Sequence, residues 1–258
     1  MGDSDPKPLM RASWESRGWL IDAMRQGTFP AVAALYRIPL ACFLEGGQGN
    51  ATPLHTAAFT GYLPQVAACV GEVGESLSLA DLSRPTLGGW TPLHEAAHGG
   101  RFRDVIRVLR EAGEEPGLDA LLVPDGFSAR TPLHVAAQRR QIAALAAAVR
   151  EAGWELRPRH WLAANRDGKT ALDEAALHGN LDQVFEPSLW TRRVGEMGKL
   201  WSYVREESRG GVDFERLSHE AALASRAPRV PAAAFRGAAR PELSGPGRAE
   251  KGGPLREN

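Results

Sequence analysis

The tetrapeptide Thr-Pro-Leu-His stands three times in this chain, at Thr52 to His55, Thr91 to His94 and Thr131 to His134, and a degenerate copy, Thr170-Ala171-Leu172-Asp173, follows them. The four starts lie 39, 40 and 39 residues apart. That period holds one supersecondary unit and is too short for a domain with its own core, so each unit must bury its apolar face against its neighbours. A stacked array meets this condition, and it grows unit by unit without needing one large core for all 258 residues.

Aligned on their tetrapeptides, the units share an internal order. Threonine is placed to cap a helix whose first residue is proline, where the missing N–H is no loss. Short helices are therefore predicted from Pro53, Pro92, Pro132 and Ala171. Each carries an Ala pair that lets a neighbouring helix approach closely: Ala57-Ala58, Ala96-Ala97, Ala136-Ala137 and Ala175-Ala176. Gly61, Gly100 and Gly179 follow three residues later, where the chain must stop and reverse with a positive φ; Arg140 takes this place in the third unit and should strain that turn. An apolar anchor of a second helix comes five residues on, at Val66, Val105, Leu145 and Val184. Leu20 to Tyr36 repeats the scheme, with Gly27 at the reversal and Val32 as anchor.

The tetrapeptides, the Ala pairs and the following glycines resemble the ankyrin repeat over roughly residues 18 to 186. The resemblance implies an all-α solenoid: helical hairpins with projecting hairpin loops, stacked into a curved slab whose concave side binds proteins. It divides the chain into an N-terminal arm (1–17), a capping hairpin (18–50), four repeats (51–186), C-terminal capping helices (187–226) and a tail (227–258). The units exceed the usual period near 33 by about six residues. These insertions carry Leu77 to Leu82, Leu118 to Leu122 and His160 to Ala164, whose leucines suggest a further helical turn under each connection. The lengthened spacing is similar to that of some bacterial ankyrin proteins.

Past Pro187, Trp190, Val194, Met197, Trp201 and Val204 fall at steps of four and three, the stripe of an amphipathic helix suited to closing the end of an array. Phe214 to Ser225 reads as a last short helix, and Leu217 to Ala222 as a decayed fifth motif. From Ala227 the chain is rich in Pro, Gly, Ala and Arg, with too few large apolar side chains to offset the entropy of ordering it, and disorder is expected.

Charge and cysteine content narrow the function. Lys+Arg and Asp+Glu are equal at 31 each, which leaves no net field to draw the chain to nucleic acid or a membrane. Cys42 and Cys69 alone cannot form a disulfide framework and read as small apolar packing residues. The N-terminus has no basic region ahead of an apolar run, Pro6 stands where a myristoylation signal needs Ser or Thr, and no segment nears the roughly 18 apolar residues of a membrane span. A cytoplasmic location is expected.

His94-Glu95-Ala96-Ala97-His98 satisfies the His-Glu-x-x-His pattern of zinc hydrolases, with two imidazoles one helical turn apart and a carboxylate as base. The repeat accounts for most of it, since His94 is the motif histidine and Ala96-Ala97 the packing pair. No third ligand accompanies it, as catalytic zinc requires. The resemblance implies instead that His55, His94 and His134 bond backbone groups of the loops, with Asp173 doing part of this in the last unit. No phosphate-binding glycine loop, metal-spaced Cys pair or nucleophile elbow appears. Neither catalysis nor a cofactor is expected.

The resemblance also places the variable residues that face a partner: Ala51, Phe59 and Thr60; Trp90, His98 and Gly99; Arg130, Gln138 and Arg139; Lys169, Leu177 and His178. Phe59 and Trp90 make an aromatic end, and Arg130, Arg139 and Lys169 a basic one, which predicts a partner with an apolar anchor and acidic groups. The expected function is protein binding on the concave face, by Phe59, Trp90, His98, Arg130, Gln138, Arg139, Lys169, Leu177 and His178. The alternatives are a regulatory or inhibitory subunit covering one enzyme's active site, a zinc hydrolase, and nucleic-acid binding through the tail.

Overall fold

The computed structural model describes residues 7–46 and 51–184. The stretch from Trp190 to Val204, the helix expected at Phe214 to Ser225 and the tail from Ala227 lie outside these residues. The described residues are all-α, with isolated β-bridges and no extended strand.

Helices recur in threes. They are α1 (Trp14–Arg25), α2 (Phe29–Leu35) and α3 (Leu40–Leu44); α4 (Pro53–Thr60), α5 (Leu63–Gly71) and α6 (Leu79–Leu82); α7 (Pro92–His98), α8 (Phe102–Glu111) and α9 (Leu118–Leu121); α10 (Pro132–Gln138), α11 (Ile142–Glu151) and α12 (Pro158–Trp161). A fifth set begins with α13 (Ala171–Leu177) and α14 (Leu181–Val184). The helices that follow the motif threonines start where the threonine-proline signal puts them. Thr52, Thr131 and Thr170 accept the amide N–H three residues on, at 3.4, 3.5 and 3.2 Å. In the second unit the His94 N–H instead reaches the Thr91 carbonyl, at 3.0 Å. Reversal after the first helix uses φ of 89°, 69° and 67° at Gly61, Gly100 and Gly179. Arg140 is held at 63° in the same place, a conformation that costs a side-chain-bearing residue about 1–2 kcal/mol.

The first helices α1, α4, α7, α10 and α13 pack side by side, and α2, α5, α8, α11 and α14 form a second row behind them. Small and branched side chains make this close stacking work. The motif leucines Leu54, Leu93, Leu133 and Leu172 are buried, as are the anchors Val66, Val105, Leu145 and Val184. Each such side chain contributes about 2 kcal/mol by leaving water. Seven of the eight paired alanines are completely buried, so any larger residue there would force the first row apart. Ala176, in the last described first helix, is only partly buried.

The inserted turns join from unit to unit. Glu75 accepts from the Leu40 N–H that opens α3, and Glu114 from the Leu79 N–H that opens α6, at 3.0 Å. Asp119 in α9 takes Arg159 at 2.6 Å and His160 at 2.9 Å from α12. The last turn runs over Pro158–Trp161 rather than His160 to Ala164, because Pro158 suits the start of a helix and Trp161 is 1% exposed at its end. Helix α1 begins at Trp14, ahead of residue 18, because the Ser13 hydroxyl accepts the Ser16 N–H at 3.1 Å. Residues 8 to 10, which the sequence places in an arm, pair with the chain after α2 through Met10 N–H to Arg37 O (2.8 Å) and Arg37 N–H to Pro8 O (3.0 Å).

Candidate binding face

The loops before the second, third and fourth motifs are each closed by a backbone bond from the start of the loop to the residue before the motif threonine. Thr86 N–H reaches Trp90 O at 2.7 Å, Asp125 N–H reaches Arg130 O at 2.7 Å and Asn165 N–H reaches Lys169 O at 2.8 Å. Buried Asp125 holds the second loop from inside, accepting from Phe127 N–H at 2.9 Å and from Ser128 through both its amide and its hydroxyl. Burial would raise this carboxyl, but the bonds from Ser128 and Phe127 outweigh it and its pKa lies below the ordinary value. Asn165 does the same work in the third loop, bonding Asp167 and Lys169 N–H at 2.9 Å each.

The carbonyl that closes each loop also accepts a histidine from the unit before it. His55 Nε2 lies 3.1 Å from Trp90 O, His94 Nε2 2.8 Å from Arg130 O, and His134 Nε2 3.1 Å from Lys169 O. A carbonyl can only accept, so Nε2 carries the proton and Nδ1 is left as an acceptor. It takes the hydroxyl of Thr52, Thr91 or Thr131, 2.8 Å away in each unit, and the N–H of the same threonine at 3.3, 3.4 and 3.2 Å. Asp173 takes the Thr170 N–H and hydroxyl, both at 2.7 Å.

This ladder occupies the first histidine that the zinc reading needs. His94 is 0% exposed with both ring nitrogens engaged, so neither faces a metal beside His98. No three His, Cys, Asp or Glu side chains among the described residues are grouped to hold one.

Phe59, Trp90 and His98 come together across the first two units. The His98 ring lies 4.9 Å from that of Phe59 and 6.1 Å from that of Trp90, between centroids, and Trp90 stands 5.9 Å from His94. Phe59 is 42% exposed. Trp90 is not the free anchor that its position suggests, for it is only partly exposed and packs against the core. His98 Nδ1 sits 3.6 Å from Glu95. Burial and then Arg139 push His98 below its ordinary pKa, and burial pushes Glu95 up, against the opposing pull of Arg139.

The basic end is weaker than its composition. Arg130 lies 3.7 Å from the carboxylate of Glu174, which is 3% exposed, and His178 lies 3.6 Å from the other oxygen of that carboxylate. Glu174 thus takes Arg130 as its ion pair, with the exposed His178 ring beside its second oxygen, and leaves Arg139 and Lys169 as the exposed cations of the set. Glu174 is a residue that sequence reasoning missed. Its position follows Asp173 as Thr56 follows His55, and nothing local marks its partner some forty residues upstream. Gln138 is partly exposed, and Leu177 is 63% exposed at the far end, three units from Phe59.

Gly99 does not project towards a partner. A Cβ there would run into the backbone carbonyl of Phe59, so the first helices touch at this point. Gly99→Ala is expected to cost about 2 kcal/mol and to displace Phe59. Urea unfolding followed by circular dichroism checks this, and an unchanged midpoint would contradict the close approach.

A family model described as ankyrin repeat matches residues 88–119, from the loop ahead of Thr91 through α7 and α8 to the inserted turn α9. No curated protein matches the sequence.

Proposed function

We propose, from the premise that this chain is an ankyrin-repeat protein, that it holds a protein partner on its concave face. The ankyrin repeat is a generic protein-interaction module, typically without catalysis of its own, and repeats of this kind present extended surfaces for binding. The observation that carries the reading is the meeting of Phe59, Trp90 and His98 from adjacent units in one partly exposed aromatic cluster. Beneath it the loops are locked by the histidine ladder. Side chains fixed in advance lose little entropy on association, which is how an inert platform gains affinity. Arg139, Lys169 and Leu177 extend the face along the array, while Arg130 and His178 serve it through Glu174. Two buried free thiols, which burial pushes up to about 11, fit a cytoplasmic protein. Among the described residues no helix is long and apolar enough to cross a membrane.

Arg130 is a poor probe of this face, because its removal strands the Glu174 carboxylate. Phe59 and Arg139 are exposed and serve better. The double variant Phe59→Glu, Arg139→Glu is expected to fold with unchanged circular dichroism and to lose about tenfold or more in recovery of the native partner from source cells. Undiminished recovery would sink the assignment of this face.

A further inference from the structure

A groove of about 280 Å³ opens across α1, α4 and α7, with Arg25 from the first, Phe59 and Thr60 from the second and Glu95 from the third among its walls. Most of its polar groups are already used. His55 is bonded through both ring nitrogens, and the Thr60 hydroxyl donates to Thr56 O at 2.7 Å. Two charges remain, Glu95 and Arg25, on opposite sides of α4.

They are not equivalent. Arg25 is exposed and keeps its water, whereas the Glu95 side chain is only 23% exposed. The ion-pairing neighbour of Glu95 is His98, at 3.6 Å, whose pKa is held below the ordinary value by burial and then by Arg139, while Arg139 acts on Glu95 only from beyond ion-pair distance. A carboxylate short of water gains more from an arriving cation than an exposed guanidinium gains from an arriving anion, since charge interactions strengthen as water is excluded. Beside it stands the Phe59 ring, whose face attracts a cation and whose carbons accept an aliphatic stem.

Building on the protein-binding reading above, we propose that this groove receives a basic side chain of the partner, arginine or lysine, its cation against Glu95 and its stem along Phe59. The partner segment is therefore basic at this end of the face, the reverse of the acidic partner that Arg130, Arg139 and Lys169 suggest. The remaining exposed cations sit farther along, so one bound segment would run from a basic to an acidic end.

The probe is a random peptide library, about 12 residues per member, selected against the full chain. Peptides carrying Arg or Lys next to an apolar residue are expected to be enriched. Replacing that basic residue by alanine in a synthetic peptide should weaken binding about tenfold, and so should Glu95→Gln, with the two changes together no worse than either alone. Phe59→Leu, which keeps the bulk and removes the ring, should weaken binding severalfold, and Arg25→Ala less than twofold. Enrichment of acidic peptides that fail on Arg25→Ala would overturn the proposal. So would binders indifferent to Glu95→Gln, or no enrichment at all. Binders that ignore Glu95 yet fail on Arg139→Glu would sink this groove alone and leave the binding face standing.

Discussion

Replacing His94 by alanine is expected to destabilise the fold by about 3–4 kcal/mol, the largest loss for a single polar side chain here. The ring is fully buried between two units, so its removal leaves a cavity that the flanking helices cannot close. It also leaves the Thr91 N–H and hydroxyl without an acceptor inside the protein. The Arg130 carbonyl fares better, because the Asp125 N–H still reaches it. Since His94 ties the second unit to the loop of the third, the defect falls on the coupling between units. Arrays held by neighbour contacts lose cooperativity when one joint fails, so the urea transition should broaden or split as well as shift. Asp173→Ala is the control. It removes the same bonds to Thr170 without a ring bond to a following loop, and about 1 kcal/mol is expected. Equal losses in the two variants would mean that the histidine joint adds nothing beyond helix capping.

The contrast marks what a sequence of this kind discloses. Helix starts at Pro53, Pro92 and Pro132 are legible because a cap, a proline and an Ala pair act within a few residues of one another. The reversal at Gly61, Gly100 and Gly179 is equally local, and it even identifies Arg140 as a residue held against its preference. The His-Glu-x-x-His match at His94 is resolved by the same repetition, since the equivalents of Glu95 and His98 differ in the other units. What escapes is pairing between units. Glu174 and Arg130, Gly99 and Phe59, Glu75 and the N–H of Leu40 each lie some forty residues apart, and no short pattern records which side chain a stacking distance will bring opposite which. The candidate face depends on these pairings. Hence the aromatic cluster was readable as a list of exposed positions, while the neutralisation of Arg130 and the desolvation of Glu95 were not.

Mild acid is expected to weaken the fold through the same ladder. His55, His94 and His134 all have pKa values below the ordinary 6.5, each first because burial penalises the imidazolium, with the accepting carbonyls of Trp90, Arg130 and Lys169 pulling the other way. Geometry explains why burial prevails: a protonated Nδ1 would point a hydrogen at the threonine N–H and hydroxyl that now donate to it. Because the folded values are depressed, the unfolded chain takes up protons first as pH falls through about 6.5. The ladder's contribution is therefore complete above that value and is lost progressively below it, down to the folded pKa of each ring. The slope is at most about 1.4 kcal/mol per pH unit for each histidine, or about 4 for the three. His98 and His160 are shifted in the same direction but are less buried, and they add less. The depressed carboxylates Asp119 and Asp125 protonate only at still lower pH, and Glu95, raised by burial, takes up its proton first in the folded chain and offsets part of the loss, so the fall from about 7 to 5.5 belongs mainly to the imidazoles. Urea midpoints across that interval should fall steadily, and His94→Ala should flatten the slope by about a third. A flat profile in the intact chain would require the rings to accept protons in place, which the threonine N–H groups directed at Nδ1 oppose.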